Sequence, residues 1–219
     1  MRSLAEPTVV LRAAIAAALT ALACYPRLAH WGQRANAVWY LVAVVVWAAF
    51  VMWAAVFAWQ ERHGQRAVFP KSVPPKLWII ALAMGVVGAA VSFQFGDPVL
   101  RQLAPTDFPR NPGQWLDHML FNLALEQLFL CFAPFAFLVR LVPSAKAAAV
   151  GVVLLGLFVF ALKLQSMMTT LAWDVALVMV LFRGMHSTVT VWLYLRGGAW
   201  LVWLFALLLQ CRHWFAFEG

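Results

Sequence analysis

Long apolar stretches alternate with short polar ones along this chain, and most of the apolar stretches are about as long as a membrane-spanning helix. They show none of the alternation with a period of two that a transmembrane barrel strand needs. The pattern therefore predicts an all-α fold, a polytopic transmembrane helical bundle of about seven helices, with six to eight as the range. The predicted segments are residues 8–25, 36–60, 77–95, 118–139, 145–164, 175–195 and 199–214.

Proline, glycine and charged residues set the predicted boundaries of these segments. Pro26 and the arginine after it are expected to end the first segment, because both residue types stop a spanning helix. The sixth segment has Asp174 as a candidate N-cap and is open to two interpretations, one helix over 175–195 or two pieces split at Arg183–Gly184. The Arg-Gly-Gly sequence at 196–198 predicts a tight turn into the last segment.

The charges of the connecting segments predict the topology. Residues 61–76 combine basic residues with prolines, whereas residues 96–117 mix aspartates with arginines. Basic residues are retained on the cytoplasmic side of a membrane, so we expect 61–76 to be a polar cytoplasmic loop and 96–117 an external one. The N-terminus is then cytoplasmic. Residues 1–219 are expected to form a single integral membrane domain in a bacterial inner membrane.

Composition excludes other classes of protein. Hydrophobic residues make up 65% of the 219-residue chain and charged ones only 11%, against roughly 25% charged residues in an ordinary soluble domain. The net charge of +8 comes from basic residues placed singly in loops, which predicts contact with membrane lipids and not with nucleic acid. The three cysteines form no metal-ligand pattern, so neither a metal nor a cofactor is predicted.

A group of polar residues falls at membrane depth. Glu126 and Gln127 lie in the middle of the fourth segment, and Arg183, His186 and Thr190 recur at helical spacing in the sixth. An ionisable residue at the bilayer centre costs about 2.5 to 3.5 kcal/mol or more to insert and therefore marks a candidate functional site. We expect the two groups to face each other inside the bundle.

Two interpretations of this cluster remain open. In the first, Glu126 and Arg183 form a structural ion pair that fixes the register of the helices. In the second, Glu126 activates a water molecule while Arg183 or His186 stabilises an oxyanion, so that these three residues are catalytic. Gln127 and Thr190 would then contact the substrate.

Two stretches resemble the CPBP family of CAAX proteases and bacteriocin-processing proteins. The sequence Leu-Glu-Gln-Leu-Phe-Leu-Cys-Phe at 125–132 is similar to the family's Glu-Glu-x-x-x-Arg helix, and Val-Trp-Leu-Tyr-Leu-Arg-Gly-Gly-Ala-Trp at 191–200 is similar to its Tyr-Leu-Arg-Thr-Gly-Ser-Leu-Trp turn. The resemblance covers roughly the last 100 residues in the order and spacing of helices. It implies a bundle of transmembrane helices with an intramembrane peptidase site around Glu126.

The chain departs from the family pattern at several catalytic positions. Gln127 stands in place of the second glutamate, Cys131 in place of the arginine, and Leu164 in place of the histidine of the Phe-x-x-x-His motif. The family's last motif, His-x-x-x-Asn, falls near 207–211 without its histidine. In the family these groups hold and activate the attacking water. The resemblance therefore implies either a catalytically silent relative or a site completed by Arg183 and His186.

Three functions follow from the sequence as alternatives. The first is a CPBP-like intramembrane peptidase homologue, active or silent, so whether the chain is an enzyme is left open. The second is a non-enzymatic membrane interaction protein that binds a peptide or a partner transmembrane helix. For that case an exposed groove of small residues is expected along Gly85, Gly88 and Ala89–Ala90. The third is a small transporter with Glu126 as the proton carrier.

Overall fold

The computed structural model describes residues 3–31, 35–103, 105, 108–165 and 173–216. Every regular element among these residues is helical, and six stretches are long and apolar enough to cross a membrane. This confirms the predicted all-α bundle of a multi-pass membrane protein. The six stretches are Pro7–Trp31, Ala37–Trp59, Pro75–Gln102, Pro112–Leu141, Ala145–Gln165 and Trp173–Phe215.

The α-helices are numbered in chain order. They are α1 Pro7–Trp31, α2 Ala35–Trp59, α3 Pro75–Val91, α4 Asp97–Leu103, α5 Pro112–Phe121, α6 Ala133–Leu141, α7 Ala145–Gln165 and α8 Trp173–Cys211. Wide π-helical turns join some of them into longer rods. The turn Ser92–Gly96 joins α3 to α4, and the turns Asn122–Glu126 and Leu128–Phe132 join α5 to α6.

The first helix does not end where the sequence predicted. α1 runs through Pro26 to Trp31, because the one missing backbone N–H can be tolerated in a membrane helix that is held by its neighbours. The guanidinium of Arg27 lies 4.9 Å from the ring centre of Trp31 and 5.2 Å from that of Phe121 in α5. This packing holds the last turn of α1, so the boundary at Pro26 was wrong.

The chain also remains helical beyond the predicted end of the third segment. α4 lies inside the stretch 96–117 that was expected to be a loop, and α5 begins at Pro112, before the predicted start of its segment. Asp97 at the start of α4 is only 2% exposed and is held by Arg212 at the far end of the chain. Local sequence cannot reveal that contact, which explains the misplaced boundary.

The last element, α8, is two helices that meet at Gly198. Gly198 has φ 65° and ψ −156°, and the backbone N–H of Ala199 donates to the carbonyl oxygen of Val68 at 2.8 Å. Asp174 and Arg212 line one cavity, although a straight helix would separate them by about 57 Å. The chain therefore reverses at Gly198, as the predicted turn at 196–198 requires.

The first half of α8 settles the open question about the sixth segment. The helix continues without a break through Arg183–Gly184, so the single-helix interpretation holds from Trp173 onward. Residues 166–172, which precede it, lie outside the described residues.

Small residues bring the helices of the bundle close together. A Cβ atom on Gly85 of α3 would lie 2.6 Å from Cδ1 of Leu208 in the second half of α8, and one on Gly88 would lie 3.1 Å from Cδ2 of Leu209. This close approach is typical of glycine at membrane helix contacts. The glycine face of α3 is thus covered by the chain's own α8. The groove expected for a partner helix is therefore not open at Gly85 and Gly88, and Ala90 alone of the predicted set is exposed.

Three connecting segments meet at one end of the bundle. The Arg62 guanidinium donates to the carbonyl oxygen of Arg140, whose own guanidinium lies 4.4 Å from the ring centre of Trp59. The contact between Ala199 and Val68 is at the same end. The stretch 61–76 therefore packs against the turns that follow α6 and the first half of α8.

Candidate functional site

The π-helical turn between α5 and α6 positions Glu126. Within this turn the Asn122 side-chain amide donates a hydrogen bond to Oε2 of Glu126. Nε2 of Gln127 in turn donates to Oδ1 of Asn122 at 3.3 Å. π-helical turns occur frequently at functional sites, because they change the direction in which side chains leave the helix. The result is a short hydrogen-bonded chain that orients the carboxylate.

All five predicted site residues line one small cavity. This inner cavity has a volume of about 30 Å³. A single water molecule needs about 10 to 15 Å³ of such volume and two to four polar partners, so the inner cavity has room for water beside the carboxylate. The five residues are Glu126, Gln127, Arg183, His186 and Thr190.

The direct ion pair expected between Glu126 and Arg183 is absent from the described part of the chain, where the ion pairs involve Asp97. The Arg183 Nε atom is buried without a hydrogen-bond partner. Both side chains instead border the inner cavity. The reason is the π-helical turn, which directs the Glu126 carboxylate toward Asn122. The interpretation as a structural ion pair therefore lacks the contact on which it depends.

The remaining two residues on the α8 face are partly engaged by their own surroundings. The His186 ring packs against Phe205, with ring centroids 5.3 Å apart. The Thr190 hydroxyl donates to the backbone carbonyl oxygen of His186 at 2.9 Å. The proton of Thr190 is thus used within α8. Its oxygen retains the capacity to accept a hydrogen bond from a group in the inner cavity.

Two larger cavities border Glu126 and adjoin each other, because Glu126, Lys163 and Arg183 line both. The first, of about 560 Å³, lies between α2 and α7 and is lined mostly by apolar side chains, together with Glu126, Lys163 and Arg183. We call it the α2–α7 cavity. The second, of about 580 Å³, lies between α4 and α8 and adds His186 and Asp174 to its lining. We call it the α4–α8 cavity.

A third, polar cavity adjoins the same carboxylate. This basic vestibule has a volume of about 250 Å³. Its charged and titratable lining residues among those described are Arg27, His118, Glu126, Lys163, Arg212 and His213.

One side-chain network near the vestibule was missed by the sequence analysis. Nε of Arg212 donates to both carboxylate oxygens of Asp97, at 3.2 and 3.1 Å, and Nδ1 of His213 lies 3.8 Å from Oδ2 of Asp97. Asn122 was missed as well. Its position four residues before Glu126 was a usable signal, whereas nothing near Asp97 in the sequence pointed to Arg212.

The positions implied by the family resemblance also gather around Glu126. Phe160 and Leu164, which match the Phe-x-x-x-His motif, line the α2–α7 cavity. Cys131 lines the inner cavity, and Gln210 in the stretch 207–211 lines the α4–α8 cavity. These positions supply neither of the family's histidines nor its arginine.

Among the described residues, no three His, Cys, Asp or Glu side chains are grouped so that they could hold a metal ion.

Comparisons with protein-family models, curated proteins and solved structures gave no match. The resemblance to the CPBP family therefore rests on the two segments 125–132 and 191–200.

Proposed function

We propose that this protein is a CPBP-like intramembrane peptidase of a bacterial inner membrane. The observation that carries the proposal is the inner cavity, which has room for water. It borders a carboxylate oriented by Asn122 and two groups suited to stabilising negative charge, Arg183 and His186. A structural ion pair would have closed this space.

The proposed reaction uses Glu126 as a general base. The carboxylate takes a proton from a water molecule in the inner cavity, and the water oxygen bonds to the carbonyl carbon of a peptide. The Arg183 guanidinium, which borders the same cavity, stabilises the resulting oxyanion. Glu126 then gives the proton to the amide nitrogen as the C–N bond breaks, which yields a new carboxyl terminus and a new amine.

The α4–α8 cavity supports the proposal as a path for the substrate. It leads to Glu126, Arg183 and His186 and combines an apolar lining with polar groups. An extended segment of a membrane peptide has both apolar side chains and backbone groups that need hydrogen-bond partners in a dry environment. Such a segment fits a lining of this mixed kind.

The test measures whether oxygen from water is incorporated into newly formed carboxyl termini of peptides. The purified protein in liposomes is incubated in H₂¹⁸O with solubilised proteins of a bacterial inner membrane, and new carboxyl termini that carry ¹⁸O are identified by mass spectrometry. We expect the wild type to produce such termini and Glu126→Gln to reduce their rate by about 100-fold or more.

Glu61→Gln provides the matched control, because Glu61 is an exposed glutamate just beyond α2. This variant should behave as the wild type. If the wild type produces no more labelled termini than liposomes without protein, the peptidase proposal is wrong. Full activity of a folded Glu126→Gln variant would show that Glu126 is not the general base.

A further inference from the structure

A groove on the outer face of α1 reaches the loop 61–76 through Phe69. This α1 groove has a volume of about 540 Å³ and is formed mainly by α1, the end of α2, the loop and the second half of α8. Ile15 and Leu19 of α1 line it and are 54% and 61% exposed. The groove is therefore open at the outer face of the bundle, which in a multi-pass membrane protein faces the acyl chains of the bilayer.

The inner wall of the α1 groove is aromatic. Trp53 of α2 stacks on Phe57, with ring centroids 5.4 Å apart, and on Phe69 of the loop, with centroids 5.9 Å apart. Phe69 in turn lies 5.4 Å from the ring of Trp203 in α8. All four rings line the groove and hold one another in place, so the wall is a preformed apolar surface.

The hydrogen-bond donors of this wall are used within the protein. Nε1 of Trp53 donates to the Thr20 hydroxyl oxygen at 3.0 Å, and that hydroxyl donates to the carbonyl oxygen of Ala16 at 2.8 Å. Nε1 of Trp203 donates to the carbonyl oxygen of Leu123 at 2.9 Å. A peptide backbone in the groove would find no donor on this wall and would be costly to bury there, whereas an acyl chain needs none.

Arg12 is the charged residue among the described ones that line the α1 groove. It is exposed and lies about 7.5 Å along α1 from Pro7, a depth from which its side chain reaches the head-group layer. The ion pairs of the described residues involve Asp97 and not Arg12. Glu6, the other charged residue described in this part of α1, is six positions away on a different face and accepts a hydrogen bond from Thr8.

The same end of the bundle is basic as a whole. The loop brings two exposed cations, Arg66 and Lys71, within three residues of Phe69 and so within about 10 Å of it. The acidic residues described at this end are Glu6 and Glu61, and they are outnumbered. The exposed basic residues there, besides Arg12, are Arg66, Lys71, Lys76, Arg140, Lys146 and Arg196. The field at this end of the groove therefore favours a ligand with a net negative head group.

We infer that the α1 groove binds an anionic phospholipid of the adjacent leaflet, with an acyl chain against the aromatic wall and the phosphate paired with Arg12. A guanidinium matches the geometry of a phosphate, and basic groups near the membrane surface recognise anionic lipid head groups. The apolar wall selects the chain, and the unpaired Arg12 selects the head group.

This site is distinct from the cavities around Glu126. None of the described residues that line the α1 groove lines the inner cavity, the α2–α7 cavity, the α4–α8 cavity or the basic vestibule. The inference does not rest on the proposed peptidase activity, since the groove is formed without any residue of the proposed catalytic site.

The test measures lipid retention by native mass spectrometry of the full chain in detergent. The probes are dioleoylphosphatidylglycerol, dioleoylphosphatidylcholine and inorganic phosphate, each titrated separately. We expect phosphatidylglycerol to bind at least about fivefold more tightly than phosphatidylcholine, because each basic residue near the head group contributes about 1 kcal/mol toward a net negative charge. Inorganic phosphate, which has no acyl chain, should bind most weakly.

Two arginines give a matched pair of variants for the head group. Arg12 lines the groove and Arg196 does not, and both are exposed at the same end of the bundle. Arg12→Gln should weaken phosphatidylglycerol binding about fivefold or more. Arg196→Gln removes the same charge from the same end and should change the binding by less than about twofold, because its charge lies outside the site.

Two exposed leucines of α1 give the pair for the acyl chain. Leu19 lines the groove, whereas Leu22 is 70% exposed and does not line it. Leu19→Trp places a larger ring in the groove and should weaken phosphatidylglycerol binding several-fold. Leu22→Trp adds the same ring outside the groove and should leave the binding unchanged.

Four results would overturn the inference. They are equal affinity for the two phospholipids, equal losses in Arg12→Gln and Arg196→Gln, equal effects of Leu19→Trp and Leu22→Trp, and inorganic phosphate binding as tightly as phosphatidylglycerol. The assay contains no peptide, so a failure of the lipid site and a failure of the peptidase proposal are seen in different experiments.

Discussion

The side-chain amide of Asn122 donates a hydrogen bond to the carboxylate of Glu126 across one π-helical turn. Because Gln127 donates to the amide oxygen of the same Asn122 at 3.3 Å, the asparagine cannot rotate without losing one of the two bonds. Asn122 therefore determines which way the carboxylate points. Glu126 itself is only half-buried, so without this contact its side chain would have more freedom.

The first prediction concerns Asn122→Ala. If Glu126 is the base of a peptidase, the variant should lose about 10- to 100-fold of the ¹⁸O-incorporation rate. A hydrogen bond to a charged group contributes about 1.5 to 3 kcal/mol, and every 1.4 kcal/mol of barrier is about tenfold in rate. The Tm in detergent should fall as well, since Nε2 of Gln127, which is only 6% exposed, loses its acceptor.

Asn111→Ala separates positioning from stability. Oδ1 of Asn111 accepts a hydrogen bond from the backbone N–H of Gln114 at 2.9 Å and caps α5. Its loss should lower the free energy of unfolding by about 1 kcal/mol and leave the rate unchanged. Equal losses of rate in both variants would contradict a specific role for Asn122.

The second prediction concerns the ion pair between Asp97 and Arg212. Asp97→Asn should destabilise the protein by about 3 kcal/mol, because removing one partner leaves the other charge in a largely buried position. The side chain of Arg212 is 17% exposed and that of Asp97 3%. The measurement is the apparent Tm in detergent.

A double variant isolates the interaction between these two residues. Asp97→Asn combined with Arg212→Gln should be less destabilised than the sum of the two single variants, because neither charge is then left alone. Strictly additive effects would mean that the pair contributes nothing to stability.

Much of the fold could be predicted from the sequence, because the length of an apolar run is a local property. The turn at Gly198 could also be read locally, since adjacent glycines interrupt an apolar pattern. The ends of α1 and α3 could not. Arg27, the residue after Pro26, packs against Phe121 of α5, and Asp97 at the start of α4 pairs with Arg212. Both effects join residues that are far apart in the chain.

The sequence predicted which residues line the candidate site, but not which of them contact one another. Helical spacing placed Arg183, His186 and Thr190 on one face, and all three do border the inner cavity with Glu126. The direct pair of Glu126 with Arg183 did not form, because the π-helical turn changes the direction of the carboxylate. Such a turn depends on packing around α5 and α6, which periodicity does not show.

The third prediction concerns a buried hydrogen bond between α8 and the end of α2. The Tyr194 hydroxyl donates to Oε1 of Gln60 at 2.9 Å, and the two residues are 1% and 3% exposed. Tyr194→Phe should lower the free energy of unfolding by about 1 to 3 kcal/mol, since the Gln60 oxygen loses its donor in a buried place. Tyr25→Phe is the control, because Tyr25 is 40% exposed.

A compensating variant tests the cause of that loss. Tyr194→Phe with Gln60→Leu removes both polar partners and should recover part of the stability. If the double variant is no more stable than Tyr194→Phe alone, the loss comes from packing and not from the unsatisfied oxygen.

The last prediction concerns Gly198, where α8 reverses. A Cβ atom there would lie 2.3 Å from the carbonyl oxygen of Val68 and 2.8 Å from Cδ of Pro70, and φ is +65°. A backbone with this φ and a ψ of −156° is adopted almost exclusively by glycine. Gly198→Ala should therefore destabilise the protein by about 3 kcal/mol, through strain and through displacement of the loop that accepts the Ala199 hydrogen bond.

Gly96→Ala is the control for this prediction, since a Cβ on Gly96 meets nothing within 4 Å. It should leave the Tm unchanged or raise it slightly, because alanine restricts the unfolded chain more than glycine does. The apparent Tm of both variants in detergent gives the comparison. If Gly198→Ala has the same Tm as the wild type, the chain does not need glycine at the reversal. The reversal would then not depend on the close contact between Val68 and the start of the returning helix.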